Sequence, residues 1–143
     1  MVGSTKCAVP SSSTWVCVPQ VGRVAALRGG LERALIAVSP EAKVLGQTVD
    51  RLPNTSLFAV PGLAAETVVI AFDLQGIAVS AGSACSSGKV SASHVLEAMG
   101  EPPDIARGGI RVSLTADATE ADVESFIVAW RAIHKRLAGS RAA

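Results

Sequence analysis

The sequence predicts an α+β fold, a small sheet with helices packed on it, and three observations carry that prediction. Near the end of the chain Val123, Phe126, Ile127, Trp130, Ile133 and Leu137 recur at helical spacing, a strong apolar stripe. Just before it "GIRVSLT" alternates, with Ile110, Val112 and Leu114 on one face and Arg111 and Ser113 on the other, the period of a half-buried strand. From residue 23 onward the patterns follow the order helix, strands, helix, strand, helix, strand, helix, which makes one layered domain with no repeat.

Residues 1 to about 20 show neither period and read as a loosely attached tail, with one short strand around "TWVCV". Val24, Leu27, Leu31, Leu35 and Val38 make Arg23 to Ser39 an amphipathic helix. Its Gly29-Gly30 pair costs about 1 kcal/mol per glycine relative to alanine, which tertiary packing must offset. "KVLG" and "TSLFAV" follow as short strands. "LAAETVVIAFDLQG" is apolar nearly all round, so a well-buried helix is expected there, closed by Gly76. "IAVSA" reads as a strand running into a small-residue loop, "SASHVLEAMG" as a short helix closed by Gly100, and "EPPDIARGG" as a loop. Thr119 and Asp122 have capping-box spacing at the start of the last helix, with Asp in place of the usual Glu.

Composition narrows the function classes. The chain has 143 residues, 49% hydrophobic and 17% charged, which suits one globular domain with a sizeable core. A net charge of +1, 3% aromatic content and no tyrosine argue against nucleic-acid binding. No apolar run approaches the ~20 residues of a membrane helix, and the first residues lack the sustained apolar segment of a secretory signal. Three cysteines, Cys7, Cys17 and Cys85, have neither an even count nor zinc spacing, so a reducing, cytoplasmic setting without disulfides or a metal site is expected.

Two residues stand out. Cys85 lies among glycine, alanine and serine, directly after a strand, with Gly82 and Gly88 on either side and Lys89 near. Such a run cannot pack densely. It displays a nucleophilic thiol on a flexible loop, or it holds an inert small residue there. Arg111 sits on the polar face of a strand whose other face is apolar, either as a rigid bidentate grip for a carboxylate or as an ordinary surface arginine. His94 suits capping or packing at a helix start, and His134 the solvated basic end of a helix. Cys7 and Cys17 carry no recognisable chemistry. There is no phosphate-binding glycine loop and no pair of histidine ligands, and none of Lys6, Lys43, Lys89 and Lys135 sits in a context that marks a Schiff base.

The stretches "AVSAGSACSSGKVSASHVLEAMG" and "GIRVSLTADATEADVESFIVAW" closely resemble the C-terminal small domain of cysteine desulfurases, of the class-V aminotransferase-like, pyridoxal-phosphate fold type I and the version with a long cysteine loop. "RLPNTSLFAVPGLAAETVVIAFDLQGIAVS" is similar to the family segment leading into that loop, and the likeness spans residues 20–138. The resemblance implies a mostly antiparallel sheet covered by helices over residues 21–139, with tails at 1–20 and 140–143. It implies that Cys85 takes the sulfur of L-cysteine as a persulfide with release of alanine, and that Arg111 binds the substrate carboxylate. It implies a flexible active-site loop including Gly82, Ser83, Ala84, Ser86, Ser87 and Gly88. Its expected partners are a sulfur-acceptor or scaffold protein, in iron-sulfur cluster assembly or another sulfur-transfer pathway, and a second copy in a homodimer.

The sequence also departs from the family. It holds no Schiff-base lysine with its preceding histidine, no aspartate for the pyridine nitrogen and no stacking histidine, so no covalent pyridoxal-phosphate (PLP) site is expected in this chain, and no turnover without a PLP-binding domain. Thr115 stands where the family has glycine, and Ala81 where serine is common. The rival readings are a stand-alone module that docks a sulfur acceptor or a separate cofactor-bearing chain, and a folded remnant without function.

Overall fold

A computed structural model describes residues 18–82 and 92–141, with side chains from residue 20 to 82 and 92 to 139. In chain order the elements are α1 (Val18–Val38), β1 (Lys43–Leu45), β2 (Thr55–Ala59), α2 (Ala65–Asp73), β3 (Ser80–Ala81), α3 (His94–Ala98), α4 (Pro103–Ala106), β4 (Ile110–Ser113) and α5 (Glu120–Arg141). The four strands form one antiparallel sheet in the order β1-β2-β4-β3. The α+β architecture is therefore as expected.

The sheet has two unlike faces. Val44, Phe58, Ile110 and Val112 point into the main core, which α1, α2 and α5 close with Leu31, Leu35, Val68, Phe72, Phe126, Trp130 and Ile133. Phe72 stacks on Phe126 with ring centroids 4.8 Å apart, and Phe58 meets Trp130 edge-on at 5.4 Å. The buried indole is satisfied, because Trp130 Nε1 donates to Ser39 Oγ at 3.0 Å and that hydroxyl donates to the Leu35 carbonyl at 2.9 Å. One hydroxyl thus ties the end of α1 to the middle of α5. The other face carries a smaller cluster of Leu45, Ala59, Leu96, Ile105 and Ala106, covered by α3 and α4.

Helix ends follow the sequence closely. Thr119 and Asp122 form the reciprocal cap: Thr119 N donates to Asp122 Oδ2 at 2.8 Å and Asp122 N to Thr119 Oγ1 at 3.3 Å. The hydrogen bonds from Thr119 hold the Asp122 carboxyl below its usual range. Gly76 and Gly100, at φ 73 and 79, close α2 and α3 with paired reverse bonds, Ile77 N to Phe72 O and Glu101 N to Leu96 O at 3.0 Å each.

Several expectations need correction. α1 begins at Val18, before Arg23 and inside the stretch read as tail and strand, with Pro19 tolerated in its first turn. α2 is buried on one face only: Ala65, Val68, Ala71 and Phe72 face the core, while Ile70 and Leu74 are 56% and 73% exposed. The strand expected over residues 77–81 shrinks to Ser80–Ala81, because the Ile77 amide is used in closing α2. The loop "EPPDIARGG" contains α4, where Pro103 takes the first helical position, one that needs no amide donor. His134 is only partly solvated: Nε2 lies 2.6 Å from Glu41 Oε1, against the Trp130 ring, with the side chain 18% exposed.

Glu32 is a charge inside this fold, 5% exposed on α1. Arg51 donates to its two oxygens at 2.7 and 2.8 Å and Ser56 Oγ donates at 2.7 Å, joining α1 to the β1–β2 connection and to β2. Burial pushes this carboxyl up, but the bonds from Arg51 and Ser56 outweigh burial, and its pKa lies below the ordinary 4.5. Its stabilising contribution is therefore complete above the unfolded-chain value and is lost as the pH falls through the folded one. Glu32→Ala should lower stability by about 3 kcal/mol at neutral pH, the low end for a broken buried pair because Arg51 keeps some contact with water. Denaturant unfolding should show this gap between variant and wild type at pH 7, closing as the pH is taken below 4.5.

Candidate functional site

The site begins with the alternation on β4. Because Ile110 and Val112 are locked into the aromatic core, Arg111 is turned to the opposite face, where it is exposed. Its cross-strand partners are Leu57 on β2 and Ser80 on β3, and Leu57 in turn faces Leu45 on β1. One row thus runs across the sheet as Leu45, Leu57, Arg111 and Ser80. At its apolar end a groove of about 240 Å3 is lined by Leu45, Val49, Leu52 and Leu57. Among the described residues no side chain or carbonyl pairs with the Arg111 guanidinium. It stands free to grip an anion.

Two residues beyond Ser80 the chain reaches Gly82, which is held by backbone. Gly82 N donates to the Gly109 carbonyl at 2.6 Å, and a Cβ on Gly82 would come within 3.2 Å of that oxygen. Gly109 lies two residues before Arg111, so Gly82 is fixed within about 10 Å of the Arg111 backbone. The chain is secured again at Ser93, 3% exposed, whose amide donates to the Ala106 carbonyl at 3.0 Å. Ser93 Oγ donates to the Gly82 carbonyl at 3.1 Å and accepts the Leu96 amide at 3.5 Å as the N-cap of α3. The two flanks of the intervening segment are therefore bonded directly to one another.

The short stretch before β4 holds all of this. The carbonyls of Ala106, Arg107 and Gly109 accept, in turn, the amides of Ser93, Ala65 and Gly82. Glycine is required at position 108, where the backbones crowd: a Cβ there would lie 2.7 Å from the Leu63 carbonyl, whereas one on Gly109 would meet the end of the Leu96 side chain, Cδ1, at 2.8 Å.

Of the residues singled out by sequence, the structure brings Gly82 and Arg111 together. Cys85, with Ser83, Ala84, Ser86, Ser87, Gly88 and Lys89, lies outside the described residues, as do Cys7 and Cys17. His94 caps nothing; the cap falls to Ser93, and the imidazole is 91% exposed with Nδ1 3.9 Å from Glu97. Sequence reasoning missed Ser93, although a serine directly before "HVLEA" is a legible N-cap signal. Among the described residues no three His, Cys, Asp or Glu side chains gather as a metal would need.

The site is thus framed by a four-stranded antiparallel sheet with helices on both faces and an exposed, unpaired arginine on β4. The chain belongs to the class-V aminotransferase family, whose profile matches residues 27–126. It is 43% identical over 106 residues to a cysteine desulfurase of Cereibacter sphaeroides, an alignment covering 74% of this chain and 27% of that protein. It is 41% identical over 104 residues to the cysteine desulfurase NifS of Azotobacter vinelandii, covering 73% and 26%. An X-ray structure of a NifS-like protein from Rickettsia africae superposes with a TM-score of 0.72 at 34% identity, over 82% of this chain and 30% of that one. The chain thus spans under a third of the length of these relatives.

The described residues do not fit PLP. Lys43 is bound to Glu101 at 2.8 and 2.7 Å on the edge strand β1, and Lys135 is exposed on α5. Lys43 is thus committed to an ion pair, and Lys135 belongs to the helix that packs on the opposite, core face of the sheet.

Two substitutions separate grip from scaffold. Arg111→Gln should change unfolding free energy by less than about 0.5 kcal/mol, because an exposed, unpaired side chain supports little. Gly108→Ala should lower it by about 1–3 kcal/mol, because the backbone oxygen it meets cannot move aside. Urea unfolding of both variants measures the contrast.

Proposed function

We propose that this chain is the substrate-carboxylate and sulfur-handling domain of a cysteine desulfurase-type protein, with Arg111 gripping the carboxylate of L-cysteine and Cys85 accepting the sulfur. The observation that carries this reading is the free Arg111 guanidinium beside the fixed root at Gly82. Cys85 is three residues from Gly82, so covalent geometry limits it to within about 11 Å of that anchor. That radius includes the Arg111 backbone, which lies within about 10 Å of Gly82. The curated relatives named cysteine desulfurase support the same assignment.

The overall change is balanced: L-cysteine and the Cys85 thiol become alanine and the Cys85 persulfide. The carbon–sulfur cleavage needs an electron sink, which PLP provides in the family and which a cofactor-bearing partner domain supplies here. The groove of Leu45, Val49, Leu52 and Leu57 next to Arg111, with Val49 and Leu52 63% and 67% exposed, suits the seat of that domain. The sulfur then passes to an acceptor or scaffold protein, in iron-sulfur cluster assembly or a related sulfur-transfer route in the cytoplasm. No described helix is long and apolar enough to cross a membrane. The domain comprises residues 21–139.

This chain's own part can be tested without the cofactor. The Cys85 thiolate attacks the outer sulfur of a small persulfide; a new sulfur–sulfur bond forms and the donor leaves as its thiolate. With Cys7 and Cys17 replaced by serine, mass spectrometry should find one added sulfur atom on the chain, and none when Cys85→Ser is added. Equal loading in both would overturn the assignment of Cys85.

A further inference from the structure

We propose that two copies of this chain associate through the outer face of α5, with the two helices antiparallel and Val128 at the two-fold axis. The proposal is independent of the activity assigned above. It starts from burial along the helix. Phe126, Ala129, Trp130 and Ile133 face the core, each at most 6% exposed. Ala121, Ser125, Val128 and Ala132 lie on the other side and are exposed, Val128 by 61%. Their spacing of four, three and four residues is that of a helix-pairing seam. The Ser125 hydroxyl is already satisfied, since it donates to the Ala121 carbonyl at 2.8 Å, so covering the seam strands no donor there. The turn after α2 borders this face. Gln75, Gly76 and Ile77 form one wall of a groove of about 810 Å3 whose other wall is the outer side of α5.

The charges beside the seam say what covers it. Glu124 and Arg131 lie on one side, four residues before Val128 and three after it, and both are exposed. Among the described residues neither side chain has a hydrogen-bond or salt-bridge partner. They are two turns apart, about 10 Å along the axis, too far to pair within one chain. A two-fold axis at Val128 reverses the order, so Glu124 of each copy meets Arg131 of the other. Asp122 and Arg136 stand in the same relation on the other side of the seam. A parallel pairing would instead set Arg131 of one copy against Arg136 of the other, and like charges would oppose it. The helix dipole accounts for acidic residues early in α5 and basic ones late, but not for an exposed valine centred between them. A patch that complements itself about its own midpoint is what a two-fold interface requires.

Sedimentation equilibrium of the full chain under reducing conditions tests this. The chain should be dimeric at about 100 µM and dissociate on dilution and with added salt. Val128→Glu sets two carboxylates together at the axis, on an exposed helical position that accepts glutamate, and should raise the dimer dissociation constant at least about 10-fold. Glu124→Arg and Arg131→Glu should each raise it about 3- to 10-fold, because each change is felt twice in a symmetric pair. The double variant Glu124→Arg/Arg131→Glu swaps the charges and should return it to within about 2-fold of the wild type, which no loss of folding could do. Leu52→Glu, on another exposed apolar patch, should leave it unchanged. A chain that is monomeric at about 100 µM would overturn the proposal. So would a dimer that survives Val128→Glu, one that Leu52→Glu dissolves, or a charge swap that fails to restore association.

Discussion

Three elements end on one short piece of backbone, and the site depends on that junction. Between α4 and β4 the carbonyls of Ala106, Arg107 and Gly109 accept amides from the residue before α3, from the first residue of α2 and from the residue after β3. Such convergence brings main chains closer than side chains allow, and the sequence answers with Gly108. The junction directs β4 into the sheet centre, and the next residue, Ile110, enters the core 1% exposed. From there the strand period decides the rest. A one-residue slip of β4 would turn Arg111 into the aromatic cluster and expose Ile110 and Val112, so the core enforces the outward aim of the guanidinium.

The remaining ties act at a distance from this junction and keep its layers in register. Ser39 joins α1 to α5 through the Trp130 indole, Glu32 joins α1 to the β1–β2 connection through Arg51, and Lys43 joins β1 to Glu101 after α3. The Glu32 cluster is the more specific of these, because a carboxylate with this little exposure is tolerable only when its lone pairs are occupied by donors at the observed geometry. It constrains the long connection that also carries the exposed Val49 and Leu52.

Legibility in the sequence followed the range of the interactions. The stripe of α5, the alternation of β4, the Thr119–Asp122 cap and the glycine closures of α2 and α3 are local, and each was readable from spacing alone. The extent of β3 was not, because it depends on whether the Ile77 amide joins a strand or closes the preceding helix. Nor was the open face of α2, since a run apolar all round does not say which side lacks a neighbour. The one-turn α4 hid in a Pro-Pro loop signal that is equally a helix start. At the site, the residue types of Arg111 and Gly82 were legible, whereas their proximity depends on the pairing of β3 with β4. The bond from Ser93 to Gly82 left no mark in either period, because it links two element ends across an intervening segment.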